Sequence, residues 1–101
     1  MGDSSLQLKE GISEDMIQLY LEIAPDYLAD LIRATNEGDF EQIVFQAHKL
    51  NSTMGLMGFE KISALLIDIE RSGLAKIKPD NEVELLRSLV AETLELLNKD
   101  S

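Results

Sequence analysis

The stretch "DFEQIVFQAHKLNSTMGLMG", Asp39 to Gly58, decides the fold. Its apolar residues recur every three or four positions. On a helix turning about 100° per residue, Phe40, Ile43, Ala47, Leu50 and Met54 fall on one side, which must face a core. Asp39, with Gln42 three residues on, reads as a capping box that opens the helix. Gly58 reads as the residue that closes it. No segment of the chain shows the alternation of a strand.

The same period extends in both directions. Upstream, Ser13 is a good N-cap, and Glu14 and Asp15 complement the positive end of the helix dipole. A stripe of Met16, Leu19, Tyr20 and Ile23 follows. Pro25 then either kinks this helix or begins the next. A second stripe, Leu28, Leu31, Ile32 and Thr35, closes at Gly38. Downstream, Ile62, Leu65, Leu66 and Ile69 mark a further helix ending at Gly73, and Leu74 to Asp80 reads as a loop. Asn81 with Glu84 resembles another capping box. It opens a helix on Leu85, Leu86, Leu89, Val90, Leu94 and Leu97. Short connections favour antiparallel neighbours. The expected architecture is all-α: an antiparallel four-helix bundle over residues 13–98 with an additional N-terminal helical segment. A flexible N-terminal segment, 1–12, precedes it.

Composition narrows the function. The 101 residues include 19 Asp and Glu against nine Lys and Arg, a net charge of −10. A phosphate backbone or an anionic membrane wants a basic face, so nucleic acid and membrane surfaces are poor partners. There is no cysteine, which removes disulfides and thiolate chemistry. No apolar run is long enough to span a membrane. A cytoplasmic location and a monomeric state are the expectations.

His48 is the only histidine, and it stands in an acid-free run. From Gln42 to Phe59 there are 18 residues without Asp or Glu, where about three would be expected at the chain's own frequency. On the helix surface its neighbours are Val44, Phe45, Asn51, Ser52 and Gly55, at spacings of three, four and seven. Phe45 points almost directly away from the core stripe. Gly55 costs about 1 kcal/mol relative to alanine inside a helix, which close approach of a partner would explain. A lone surface histidine, a single exposed aromatic and a helix-ending glycine are each unremarkable alone. Their convergence on one patch favours a docking and reactive site.

The chemistry open to that patch is narrow. Ser52 lies one turn from His48, but the sequence shows no carboxylate positioned to orient the imidazole as a hydrolytic triad requires. Metal binding needs several converging ligands, and the patch offers one, so no metal site and no cofactor are expected. An exposed neutral imidazole can still act alone as a nucleophile toward a phosphoryl donor.

At this point the residues match a family. "AHKLNSTMGLMGFEKISALLIDIE" resembles the signature of histidine-containing phosphotransfer (HPt) domains. That signature is an Ala-His-x-Leu-Lys-Gly-Ser run, then Gly and Leu-Gly, then a helix ending near Leu-Glu. His48 stands at the phosphorylated histidine and Ala47 and Leu50 at its flanking core residues. Thr53 stands for the family's Ser, Gly55 for the small residue seven after the histidine, Met57-Gly58 for Leu-Gly, and Ile69-Glu70 for Leu-Glu. "LYLEIAPDYLADLIRATNEGDFEQI" is similar to the Pro-centred stretch and Gly-Asp turn that come before. The family usually has Lys, and often Gly next, where this chain has Asn51 and Ser52, so a different transfer rate or partner choice is expected.

The resemblance implies a phosphorelay intermediate without kinase activity. His48 would accept a phosphoryl group from the aspartyl phosphate of a response-regulator receiver domain, including one belonging to a hybrid sensor kinase. It would then pass the group to a second receiver. Mg²⁺ is expected on the receiver. Val44, Phe45, Asn51, Ser52 and Gly55 would form the docking surface, and Lys49 would lend positive charge. Two other readings stay open on the residues alone. One is an HPt-like module that docks a receiver or another signalling protein without being phosphorylated, and the other is a structural bundle fragment. A stand-alone protein and a segment of a hybrid kinase read alike.

Overall fold

The computed structural model describes residues 10–99. Residues 1–9, most of the flexible segment expected over 1–12, lie outside the described part. Four helices follow one another: α1 (Glu14–Glu37), α2 (Phe40–Met57), α3 (Glu60–Leu74) and α4 (Asp80–Lys99). They pack in a ring, α1 on α2, α2 on α3, α3 on α4 and α4 back on α1. That is the expected antiparallel four-helix bundle.

The two stripes either side of Pro25 belong to one helix. What reads in sequence as an additional N-terminal helical segment is the first half of α1. The buried residues of α1 explain this: Tyr20, Ala24, Leu31, Ala34 and Thr35 form a single stripe that runs through the proline in phase. An interior proline costs about 3 kcal/mol in a free helix, and packing of that stripe offsets it. Pro25 sits on the exposed side, so its missing hydrogen bond falls outside the core.

The first two turns are two residues each. Gly38 (φ 66°) and Gly58 (φ 86°) take the left-handed conformation that other residues resist. At each, paired bonds close the preceding helix. The Gly38 N–H donates to the Thr35 carbonyl and the Asp39 N–H to that of Ala34; the Gly58 N–H donates to Gly55 and the Phe59 N–H to Met54. This is the Schellman pattern. Each turn leads straight into the next helix. Asp39 caps α2, its carboxylate accepting from the Gln42 N–H at 3.2 Å, and Ser13 caps α1 the same way with Met16.

Three expectations change. First, α3 ends at Leu74, and Lys76, not Gly73, takes the left-handed position at φ 60°. Gly73 is buried at a close crossing with α2, where an added Cβ would lie 2.8 Å from Val44 Cγ2 and 3.1 Å from Ile43 Cγ2. Gly73→Ala should therefore destabilise the bundle by about 1–3 kcal/mol through overpacking, read as a lower midpoint in urea. An unchanged midpoint would mean that the two helices can part at no cost. Second, α4 begins at Asp80, with the Val83 N–H bonded to the Pro79 carbonyl. Asn81 is thus already inside the helix and does not cap it. Third, Leu19 and Leu85 face solvent, while Val83 and Thr93 are buried.

The core joins all four helices. Tyr20 packs on Phe59 with ring centroids 5.6 Å apart. Its hydroxyl bonds Thr93 Oγ1 at 2.7 Å, and that oxygen donates in turn to the Val90 carbonyl at 2.7 Å. Burial pushes the Tyr20 phenol up to about 12, against a smaller lowering by Thr93. The phenol therefore stays neutral and serves α1 and α4 as a hydrogen-bond link. Among the described residues no helix is long and apolar enough to cross a membrane.

Candidate phosphoacceptor site

The packing of α2 fixes where His48 points. Ile43, Ala47, Leu50, Met54 and Met57 are buried, which sets the phase of the helix. His48 then projects outward, and its side chain is 73% exposed. Along the same outer face lie Phe45, Ser52, Gly55 and Leu56, all exposed. Phe45 is 57% exposed one turn before the histidine, and Leu56 is 64% exposed two turns after it. Val44 is half-buried and turned toward α3, where its methyl meets Gly73.

A carboxylate does orient the imidazole, contrary to the sequence reading. Glu70, on α3, places Oε1 3.3 Å from His48 Nδ1. The partner comes from the next helix, 22 residues on, so it leaves no spacing signal in the run around His48. An ionised carboxylate only accepts, so Nδ1 is assigned the proton and Nε2 keeps its lone pair. The tautomer matters because Nε2 is the outward, nucleophilic nitrogen. The run 42–59 remains free of acids, but the folded site is not: α3 supplies one behind the ring.

Two expected members of the patch are turned elsewhere. The Lys49 ammonium lies over the Tyr27 ring of α1, 4.2 Å from its centroid. This cation–π contact holds it on the α1 side of the helix, about 100° round from His48. Asn51 is half-buried against α3, its side-chain oxygen accepting from the Ser63 hydroxyl. Ser52 donates to the His48 carbonyl at 3.2 Å, which is ordinary back-bonding one turn up the helix. Gly55 has a negative φ, and a Cβ built on it meets nothing within 4 Å. Nothing inside the domain requires glycine there.

Further along α2, on its α1 side, lies an apolar hollow that the sequence reading did not find. Met16, Leu19, Tyr20, Ile23, Thr53, Leu56 and Met57 line it between α1 and α2. The signal was present in part: Leu19 and Leu56 are apolar residues off the buried stripes of their helices. Among the described residues, no group of three or more His, Cys, Asp or Glu could hold a metal ion.

The arrangement is an exposed imidazole with one nitrogen tied back and the other free. It is set on α2 between the exposed apolar residues Phe45 and Leu56. A family model described as Hpt domain matches residues 15–99. No curated protein and no solved structure was found to match.

Proposed function

The chain belongs to the Hpt domain family, the phosphotransfer modules of phosphorelay signalling, and on that premise we propose that His48 is its phosphoacceptor. In this reading a receiver domain carrying an aspartyl phosphate docks over α2. Nε2 attacks the phosphorus in line as the bond to the aspartyl oxygen breaks and the carboxylate leaves. Nδ1 keeps its proton throughout, so the phosphorylated ring is cationic, and Glu70 faces that charge. A second receiver reverses the step, taking the phosphoryl group as Nε2 regains its lone pair. Mg²⁺ belongs to the receiver. The domain contributes position and exposure, which suffices where transfer is mostly geometry and electrostatics.

One observation carries the reading: Glu70 fixes Nδ1 while the rest of the ring is open to solvent. Phe45 and Leu56 would give the receiver apolar footing before and after His48 along α2, with Ser52 and Gly55 completing the docking surface. Its test is transfer of label from phosphorylated receiver domains to the wild-type chain. If a panel of active receivers leaves the chain unlabelled, the domain only docks.

Gly55 tests the docking geometry separately. Gly55→Glu should leave folding nearly unchanged, because the position is open and glycine is a poor helix former. It should slow transfer at least tenfold, by bulk and by setting a negative charge against the receiver's acidic pocket. The measurement is the initial rate from one labelled receiver, with circular dichroism confirming the helices. Wild-type rates in this variant would mean that no partner approaches closely over Gly55.

A further inference from the structure

We propose that no cation of α2 or α3, the two helices that meet at His48, attends a phosphoryl group there, so that neither helix holds back its departure. The inference rests on the phosphorelay reading and concerns what surrounds the product of the first transfer.

The groups near Nε2 are accounted for one by one. Glu70 brings a negative charge to the far side of the ring. It pairs with the ring proton and does nothing for a phosphoryl dianion. On α2 and α3, the two helices that meet at His48, the cations are Lys49, Lys61 and Arg71. Lys49 is held on Tyr27. Lys61 is nine residues before Glu70 on α3, about 13 Å along the axis at 1.5 Å per residue. Arg71 follows Glu70 directly, so it leaves the helix about 100° further round, away from α2. Asn51, one turn past the histidine, is drawn to Ser63, and Ser52 gives its proton to the backbone. The acid nearest along α2 is Glu41, two turns before His48.

The consequence is electrostatic. A cation beside a phosphoryl dianion favours the phosphorylated state and holds back its departure. On α2 and α3 that restraint is missing, and the one charged group beside the ring, Glu70, is negative and lies at Nδ1.

The test needs no receiver. Phosphoramidate is the probe: its P–N bond breaks as the bond to Nε2 forms, and ammonia leaves. The full chain, labelled this way, is followed by phosphorus NMR. Two quantities are read, the midpoint of the phosphoryl group's second ionisation and the decay rate of the phosphohistidine. Wild type, Lys49→Met and Arg71→Met should agree in both. Asn51→Lys, which adds an ammonium one turn from Nε2, should lower the midpoint by a few tenths of a unit and lengthen the lifetime about two- to fivefold, the range for an exposed ion pair. The inference is overturned if Lys49→Met or Arg71→Met raises the midpoint and shortens the lifetime, since a native cation then reaches the group. It is equally overturned if Asn51→Lys changes neither quantity. Failure of phosphoramidate to label His48 at all would sink it together with the phosphorelay reading. Normal labelling with no response to Asn51→Lys sinks the inference alone.

Discussion

His48→Gln should abolish phosphorylation of this chain completely while changing its stability by no more than about 0.5 kcal/mol, as for ordinary surface substitutions. The two halves of this result have separate causes. The chain has one histidine, so no second imidazole can take over. Its side chain lies mostly in solvent, so little packing is lost, and glutamine can still offer Glu70 an N–H. Label on the wild type should be acid-labile, as a phosphoramidate bond requires. Acid-labile label that persists in His48→Gln would place the acceptor elsewhere. A large drop in the melting temperature would instead make His48 a structural residue.

Leu50→Ala should do the reverse. Leu50 is two residues from His48 and fully buried. Truncating it removes core contacts and leaves a cavity, at a cost of about 2–5 kcal/mol. For a domain of this size each kcal/mol is worth about 4–8 °C in melting temperature, so the loss should be plain in a thermal or urea melt. At temperatures where the variant is folded, label should still transfer to His48. If Leu50→Ala and His48→Gln cost the same, the assigned phase of α2 is wrong, and the outward direction of the imidazole goes with it.

What could be read from sequence followed from how local the cause was. The stripe Ile43, Ala47, Leu50 and Met54, the caps at Ser13 and Asp39 and the stops at Gly38 and Gly58 all rest on residues within a turn or two of one another. Each reappears in the structure. The outward placement of His48 and Phe45 came from the same phase argument. The features that escaped depend on neighbours distant in sequence. Pro25 is a local stop signal that the continuous burial of Tyr20, Ala24 and Leu31 overrides. Gly73 looks like a helix end until Val44 and Ile43 are found pressed against it. Glu70 sits within the sequence stretch that carries the family resemblance, yet its hydrogen bond to the imidazole appears only when α3 folds back along α2. The cation–π contact likewise needed α1 beside α2 to show that Lys49 is occupied.

The two minimal turns also bear on the order of assembly. Helices α1, α2 and α3 are joined by links so short that their pairings close almost no chain, which makes them fast to form. The fourth helix is different. It must reach back past two others to meet α1, and the Tyr20–Thr93 hydrogen bond joins positions 73 residues apart. That closure carries the greatest entropic cost in the bundle, and its contacts should form after the rate-limiting barrier. Thr93→Ala should then hasten unfolding and leave the refolding rate almost untouched, a φ-value near zero, whereas Ala47→Gly at the α2 core should slow refolding. A chevron plot with the two effects exchanged would mean that the ring of helices closes before its first three members pair.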